Sequence, residues 1–258
     1  AQGMAAEISF DGIPSDVALE SVELFLENVP VDKNIQKTVN RRKKMLLADM
    51  DSTILEIETL DEIGHAIGKA HEIAEITEKA MNGEIDFETA LKNRVKLLAG
   101  LKLNQLIEFA LEKLVITPGA STLVKTMRAN GAATVLVSGG FTVITEIIRK
   151  KLNFDLCYGN TLVVDSSIVT GDLKPPIIDG DAKAAILDQE CEKLEISRHD
   201  TLAVGDGAND IPMLVNAGLG VGFRPKPVVK NHASNIIEHC DLRGVLFLQG
   251  FAEDEFII

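Results

Sequence analysis

Four short apolar runs recur along the chain: residues 45–49 (MLLAD), 133–139 (ATVLVSG), 201–206 (TLAVGD) and 219–223 (LGVGF). Each is too short and too evenly apolar for an amphipathic helix, and polar or Gly-rich residues follow the first three at once. Between the runs the apolar positions recur at helical spacing. Buried runs separated by helices predict an α/β fold, a doubly wound and mostly parallel sheet covered on both faces. Residues 160–170 (NTLVVDSSIVT) predict a hairpin turning at 165–167, and the prolines of GDLKPPIIDG predict a loop after it.

From 58 to 115 the pattern changes to helical periodicity with almost no strand signal. Ile63 and Ile67 share one face, as do Ile73, Ile76 and Ala80, and Gly83 and Gly100 are natural helix stops. This stretch reads as a small helical cap inserted after the first strand, between core segments 44–57 and 116–258. Its last clearly phased helix starts at Asp86, a good N-cap, and places Phe87, Leu91, Arg94 and Leu98 on one stripe. An Arg in an apolar stripe either snorkels to water or reaches into a closed cavity to hold a carboxylate. Residues 1–43 contain an alternating piece, AEISF, and an apolar-periodic stretch, DVALESVELFLENV. That segment is too small to fold alone, so it is expected to pack on the core. Ala1–Gly3, ahead of Met4, reads as an expression remnant.

Composition narrows the function classes. With 258 residues, 46% of them hydrophobic, the chain can bury a large core, and a net charge of −13 without a long basic run offers no footprint for nucleic acid or an anionic membrane. Cys157, Cys191 and Cys240 are widely spaced and odd in number, which points to a reducing cytoplasm. No apolar run reaches the roughly 18 residues of a spanning helix.

The chemistry-bearing residues collect where ligands bind in such a sheet, beyond the carboxyl ends of the strands. Asp49 and Asp51 end the first run, Ser138 and Gly139 the second, and Asp206, Asn209 and Asp210 follow the third. Alone, each cluster would pass for a turn or a helix cap. Together they suit phosphoryl transfer, with one carboxylate as nucleophile and a second trading protons. A phosphate dianion beside Asp49 and Asp206 needs counter-charge, and oxygen ligands without His or Cys favour Mg²⁺ over zinc. SGGFTVITEIIRK turns from Gly-rich loop into helix, presenting a hydroxyl and free N–H groups to anionic oxygens. Lys183, where a helix begins after the proline loop, is a candidate for the missing cation.

ADMDST resembles the D-x-D-x-T signature of the haloacid dehalogenase superfamily, and VLVSGG, Lys183 and GDGAND resemble its Ser, Lys and acidic motifs, in order. ETLDEIG, FETALKNRVKLL, VSGGF and AVGDGANDIPML narrow the resemblance, over residues 42–243, to the phosphoserine-hydrolysing branch of that superfamily. The resemblance implies a Rossmann-like haloacid dehalogenase core and hydrolysis of O-phospho-L-serine to serine and phosphate through an aspartyl-phosphate, the last step of serine biosynthesis. It makes Asp49 the nucleophile and Asp51 the acid and base. Mg²⁺ would be held by the Asp49 carboxylate, the Asp51 carbonyl and Asp206, with Asp210 in support. Ser138, Gly139 and Lys183 would grip the phosphate with Asn209 close by, while Glu58 and Arg94 read the ammonium and carboxylate of the substrate. Phe87 is placed to close over it. The roughly forty residues ahead of the first motif are too few for the ligand-sensing domain of many bacterial members.

Three alternatives compete with this expectation. A related phosphatase or phosphotransferase could take another small metabolite, for example moving the phosphoryl group to homoserine. A receiver-like signalling module also uses strand-end acids and a Lys, but lacks the second acid of D-x-D and the helical lid. A nucleotide-binding module would need a G-x-G-x-x-G after a strand, which is missing. A monomer and a homodimer are both compatible with the sequence.

Overall fold

The computed structural model describes residues 4–258, so the remnant reading of Ala1–Gly3 falls outside the described residues. Among the described residues, seven strands form one sheet: β1 Met45–Asp49, β2 Ala133–Phe141, β3 Leu156–Asp165, β4 Ile168–Lys174, β5 Thr201–Gly205, β6 Leu219–Phe223 and β7 Asn235–Ile237. Their order is β4-β3-β2-β1-β5-β6-β7, and only the β3–β4 pair is antiparallel. All four apolar runs are strands, and the hairpin turns where the sequence predicts. The sequence reading omits β7 and the start of β3, where Leu156 is exposed.

The helices are α1 Ser15–Phe25, α2 Thr59–Ala66, α3 Ala70–Met81, α4 Phe87–Lys96, α5 Leu103–Glu112, α6 Ala120–Ala129, α7 Thr142–Leu152, α8 Gly180–Leu194, α9 Ile211–Asn216, α10 Pro227–Lys230 and α11 Gly244–Leu248. Helices α6–α11 cover both faces of the sheet, and the alternation of β1 decides which residues meet which helices. Leu46 and Ala48 join the larger core with residues of α6, α7 and α11, whereas Met45 and Leu47 pack with Ile186 and Leu187 of α8 and Met213 of α9. At about 25 cal/mol per Å² of apolar surface, these two layers supply most of the drive to fold.

Helices α2–α5 form a unit between β1 and α6. The chain leaves and returns through paired linkers, where Glu56 N–H donates to the Val115 carbonyl (2.9 Å) and Thr117 N–H to that of Ile54 (3.0 Å). The unit also leans on the β3–β4 hairpin: Gly100 N–H donates to the Val169 carbonyl and Val169 N–H to that of Leu101. Gly100 sits at φ +89°, the left-handed conformation its helix stop requires. Asp86 caps α4 by accepting the Thr89 N–H at 2.7 Å, a contact of the type worth about 1 kcal/mol.

The N-terminal segment, expected to pack on the core, touches it through residues 32–44. Asp32 accepts N–H groups of Glu238, His239 and Cys240, and Asn34 exchanges two hydrogen bonds with Ile236. Helix α1 has the predicted periodicity yet buries no residue, leaving Leu24 and Phe25 exposed.

Candidate active site

Alternation along β1 puts Asp49 on the same side as Met45 and Leu47, the side of α8. There Lys183 lies one helical turn before Leu187 on a stripe with Ile186 and Cys191. Its ammonium is fully buried and donates to Asp49 Oδ1 at 2.5 Å and to Asp210 Oδ1 at 2.6 Å. Two charge-assisted bonds raise the lysine above its ordinary value despite the desolvation that opposes its charge. Burial and the Asp210 carboxylate push Asp49 upward, while Lys183 pulls it down.

Asp49 and Asp51 have extended backbone and the chain reverses at Ser52, held at φ +56°, with Leu55 N–H closing the wide turn on the Met50 carbonyl (2.8 Å). The reversal brings Asp51 between two donors. Its Oδ1 accepts the Thr59 N–H at the start of α2 (3.0 Å), and its Oδ2 accepts the Ser138 hydroxyl (3.2 Å). Desolvation and the nearby Glu58 carboxylate still push Asp51 up to about 6, against those donors. Ser138 Oγ in turn accepts the Gly140 N–H at 2.8 Å. A Cβ on Gly140 would fall 3.0 Å from both Asp51 Oδ2 and Ser138 Oγ, so glycine lets this strand end come close to the acid.

The end of β5 adds Asp206 and Asp210. Asp210 Oδ2 accepts the N–H groups of Asp206 (3.1 Å) and Gly207 (3.0 Å). A Cβ on Gly205 would lie 2.5 Å from Asp210 Cγ, which is why the strand ends in glycine there. Carboxylate oxygens of Asp49, Asp206 and Asp210 lie within 4.8 Å of one another, and all three residues are buried. This all-oxygen set fits a hard divalent cation. Asp210 already accepts from three donors, so Asp49 and Asp206 have more capacity left for a metal. Desolvation raises Asp206 to about 6, with the Lys226 ammonium opposing it.

Asn209 is half-buried beside Gly207, and its carbonyl lies 3.1 Å from where a Gly180 Cβ would stand, at the start of α8. Gly139 sits beneath the helical unit: a Cβ there would be 3.1 Å from Phe87 Cζ. A cleft of about 330 Å³ follows this seam between α4 and α8, lined by Asp86, Phe87, Glu88, Thr89, Lys92 and Asp179.

The helical unit contributes Arg94 from α4 and Glu58 from the residue before α2. Glu58 is exposed and accepts the Ser52 hydroxyl at 2.8 Å. Arg94 Nε is buried with no hydrogen-bond partner among the described residues. Burial lowers its pKa from the ordinary value, while Asp61, Glu58 and Asp51 attract its charge. A buried donor without a partner carries a desolvation penalty that a ligand carboxylate would relieve.

Asp49, Asp51, Glu58, Arg94, Ser138, Gly139, Lys183, Asp206, Asn209 and Asp210, the residues singled out from sequence, lie at this edge of the sheet or on the unit above it. Sequence reading missed Lys226, whose ammonium lies 3.2 Å from Asp206 Oδ2 and 3.5 Å from Glu58 Oε1. The signal for it was available: Lys226 follows the LGVGF run by three residues, at the same strand edge. Thr53, which ends the ADMDST stretch, has a buried hydroxyl 3.5 Å from Asp206 Oδ1.

The haloacid dehalogenase-like hydrolase family matches residues 46–215 of the chain. Over 231 residues the chain is 39% identical to a probable phosphoserine phosphatase of Schizosaccharomyces pombe, covering 89% of this chain and 77% of that one. It is 39% identical over 208 residues to the phosphoserine phosphatase of Archaeoglobus fulgidus, covering 81% of this chain and 60% of the relative's length. Among solved structures, a phospho-aspartyl intermediate analogue of phosphoserine phosphatase superposes with a TM-score of 0.74 at 38% identity, covering 80% of this chain and 98% of that one.

Proposed function

The chain belongs to the haloacid dehalogenase-like hydrolases, and from that premise we propose that it hydrolyses O-phospho-L-serine to serine and phosphate with Mg²⁺, closing a serine-forming route. The observation that carries the substrate is the unpartnered Nε of Arg94, buried where Asp61, Glu58 and Asp51 attract the guanidinium charge. A substrate with a carboxylate for Arg94 and an ammonium for Glu58 matches both in sign, and its phosphate then reaches the strand ends.

In this reading Ser138, Lys183 and the backbone at Gly139 hold the phosphoryl oxygens, with Asn209 at the rim. An Asp49 oxygen attacks phosphorus as the ester P–O bond breaks, and the departing serine oxygen takes its proton from Asp51. The aspartyl-phosphate on Asp49 is then attacked by a water that gives its proton to Asp51. The Asp49 O–P bond breaks, phosphate leaves, and both acids return to their starting states. A carboxyl raised to about 6 is suited to both directions of proton transfer near neutrality. Asp49 and Asp206, with the Asp51 carbonyl, would hold the Mg²⁺, and Asp210 would steady Lys183 and the β5 turn. When bound, the ion supplies positive charge that keeps Asp49 ionised and balances the phosphoryl oxygens. Closure of α2–α5, with Phe87 over Gly139, would exclude bulk water from the intermediate. A reducing cytoplasm belongs to the same proposal, supported by three cysteines that stay unpaired.

Phosphate release from L-phosphoserine is the test, beside a panel of other small phosphomonoesters, with Mg²⁺, with EDTA, and with Asp49→Asn. Release much faster from phosphoserine than from the other esters, lost with EDTA and reduced about 10⁴-fold or more in Asp49→Asn, is expected. Metal-dependent release from other esters but not from phosphoserine would leave the chemistry standing and remove the roles of Glu58 and Arg94.

A further inference from the structure

Lys226 takes no part in the mechanism above, yet it is the cation that touches both halves of the site. It sits in Pro225-Lys226-Pro227, on the loop joining β6 to α10. Its backbone N–H donates to the Asp206 carbonyl at 2.9 Å. The proline that follows restricts it to extended backbone, and its φ of −58° and ψ of 150° comply. The stem therefore starts from a fixed point. From there the ammonium reaches Asp206 Oδ2 at 3.2 Å and Glu58 Oε1 at 3.5 Å, carboxylates that come from β5 and from the linker to the helical unit. Two residues earlier, Arg224 pairs with Glu56 of the same linker at 3.4 Å.

We infer that Lys226 is a resident counter-ion that weakens the hold of Asp206 on a divalent cation and of Glu58 on a substrate ammonium, setting both affinities. The Asp206 half rests on the aspartate geometry; the Glu58 half also rests on the proposed substrate. A carboxylate already balanced by an ammonium about 3 Å away attracts a second cation less, and a divalent ion feels that repulsion doubly. Lys183 cannot serve this purpose, because it is fully buried and locked between Asp49 and Asp210. The Lys226 side chain is half-exposed, and its flexible stem can carry the charge into water when another cation arrives. Leaving both carboxylates without it would set Asp206, Asp210 and Glu58 against one another. The lysine thus keeps an acidic cluster tolerable while leaving its cation sites exchangeable.

Isothermal titration of the full chain with Mg²⁺ alone tests this, using wild type, Lys226→Met, Lys226→Gln and the charge-preserving Lys226→Arg. Both neutral variants should bind Mg²⁺ roughly three- to tenfold more tightly, with Lys226→Arg within about twofold of wild type. Unchanged or weaker binding in both neutral variants would overturn the inference and make Lys226 a device for orienting Asp206. The Glu58 half is read at saturating Mg²⁺, where KM for phosphoserine should fall about two- to threefold in Lys226→Met while KM for phosphoglycolate, which has no amine, stays put. Equal changes for both esters would remove that half. If phosphoserine proves not to be a substrate, the proposed function fails while the Mg²⁺ titration still decides the role of Lys226.

Discussion

Lys183 places positive charge at the sheet edge and Arg94 places it on the helical unit, and they are built in opposite ways. Lys183 rides on a helix packed against the sheet and satisfies two buried carboxylates at 2.5 and 2.6 Å. Arg94 rides on α4, outside the sheet, and keeps a buried Nε with no partner. The cation at the reacting edge is thus satisfied by the chain's own carboxylates, whereas the helical unit keeps a buried donor open to a ligand. Preorganised charge suits chemistry common to every phosphate ester, and an unmatched charge suits choosing among them. Loss of the first should damage fold and reaction together; loss of the second should damage selection alone.

Lys183→Met is the strongest way to break that contrast. It keeps the length of the side chain but leaves Asp49 and Asp210 facing each other without a cation inside the protein. Removing one partner of a buried ion pair costs about 3–5 kcal/mol, so urea denaturation should show a loss of that size. Hydrolysis of every ester should fall together if, as proposed, the same ammonium holds the phosphoryl oxygens. A loss below about 1 kcal/mol would mean the two carboxylates are neutral in the folded protein and that Lys183 does not hold them.

Arg94→Ala sharpens the contrast from the other side. Deleting a group whose buried donor is unpaired removes a desolvation penalty along with some packing, so stability should change by no more than about 1 kcal/mol in either direction. Charge-assisted bonds to a substrate carboxylate are worth about 1.5–3 kcal/mol, so kcat/KM for phosphoserine should fall by about 10- to 100-fold. An ester without a carboxylate should be hydrolysed at the wild-type rate. A parallel fall for both esters would place Arg94 in the reaction itself and erase the division between the two regions.

The two regions also differ in how far they could be read from sequence. At the reacting edge, a buried run cut off by Asp49 and Asp51, or by Ser138, marks a strand end, and a parallel sheet brings all such ends together. Lys183 sits on a stripe with Ile186 and Leu187 that marks an inward-facing position, yet its role was legible only through resemblance. The stripe Arg94 shares with Leu91 and Leu98 marks it as unusual but leaves snorkelling and a buried clamp both open, and the clamp reading came with the resemblance. Helix α5 could not be phased, because Leu103, Leu106, Ile107, Phe109, Ala110 and Leu111 crowd more than one face. Strand β7 is three residues long, too short for any period to declare itself. The contact of Lys226 with Glu58 joins residues far apart in sequence, and nothing local to either one encodes the meeting. The periodicity of α1 promised burial that its position does not provide, since amphipathic spacing states a capacity to pack and not a partner.

The smallest expected effect lies where the two regions touch. A Cβ on Gly139 would stand 3.1 Å from Phe87 Cζ and 3.9 Å from the Ile178 carbonyl, so Gly139→Ala presses on one flexible ring tip and on no nearby backbone. The ring can yield by a few tenths of an ångström, which should cost well under the roughly 1–3 kcal/mol of a tight core overpacking. Closure of α4 over the phosphate loop would then be slightly impeded, raising KM for phosphoserine by about two- to fivefold with kcat nearly unchanged, as a loss of uniform binding requires. Phe87→Leu should relieve the contact, so the double variant should bind substrate better than the two single changes combined predict. Strictly additive effects would mean that Phe87 and Gly139 do not meet in the working enzyme, and that the helical unit selects its substrate through Glu58 and Arg94 without closing on the sheet at this point.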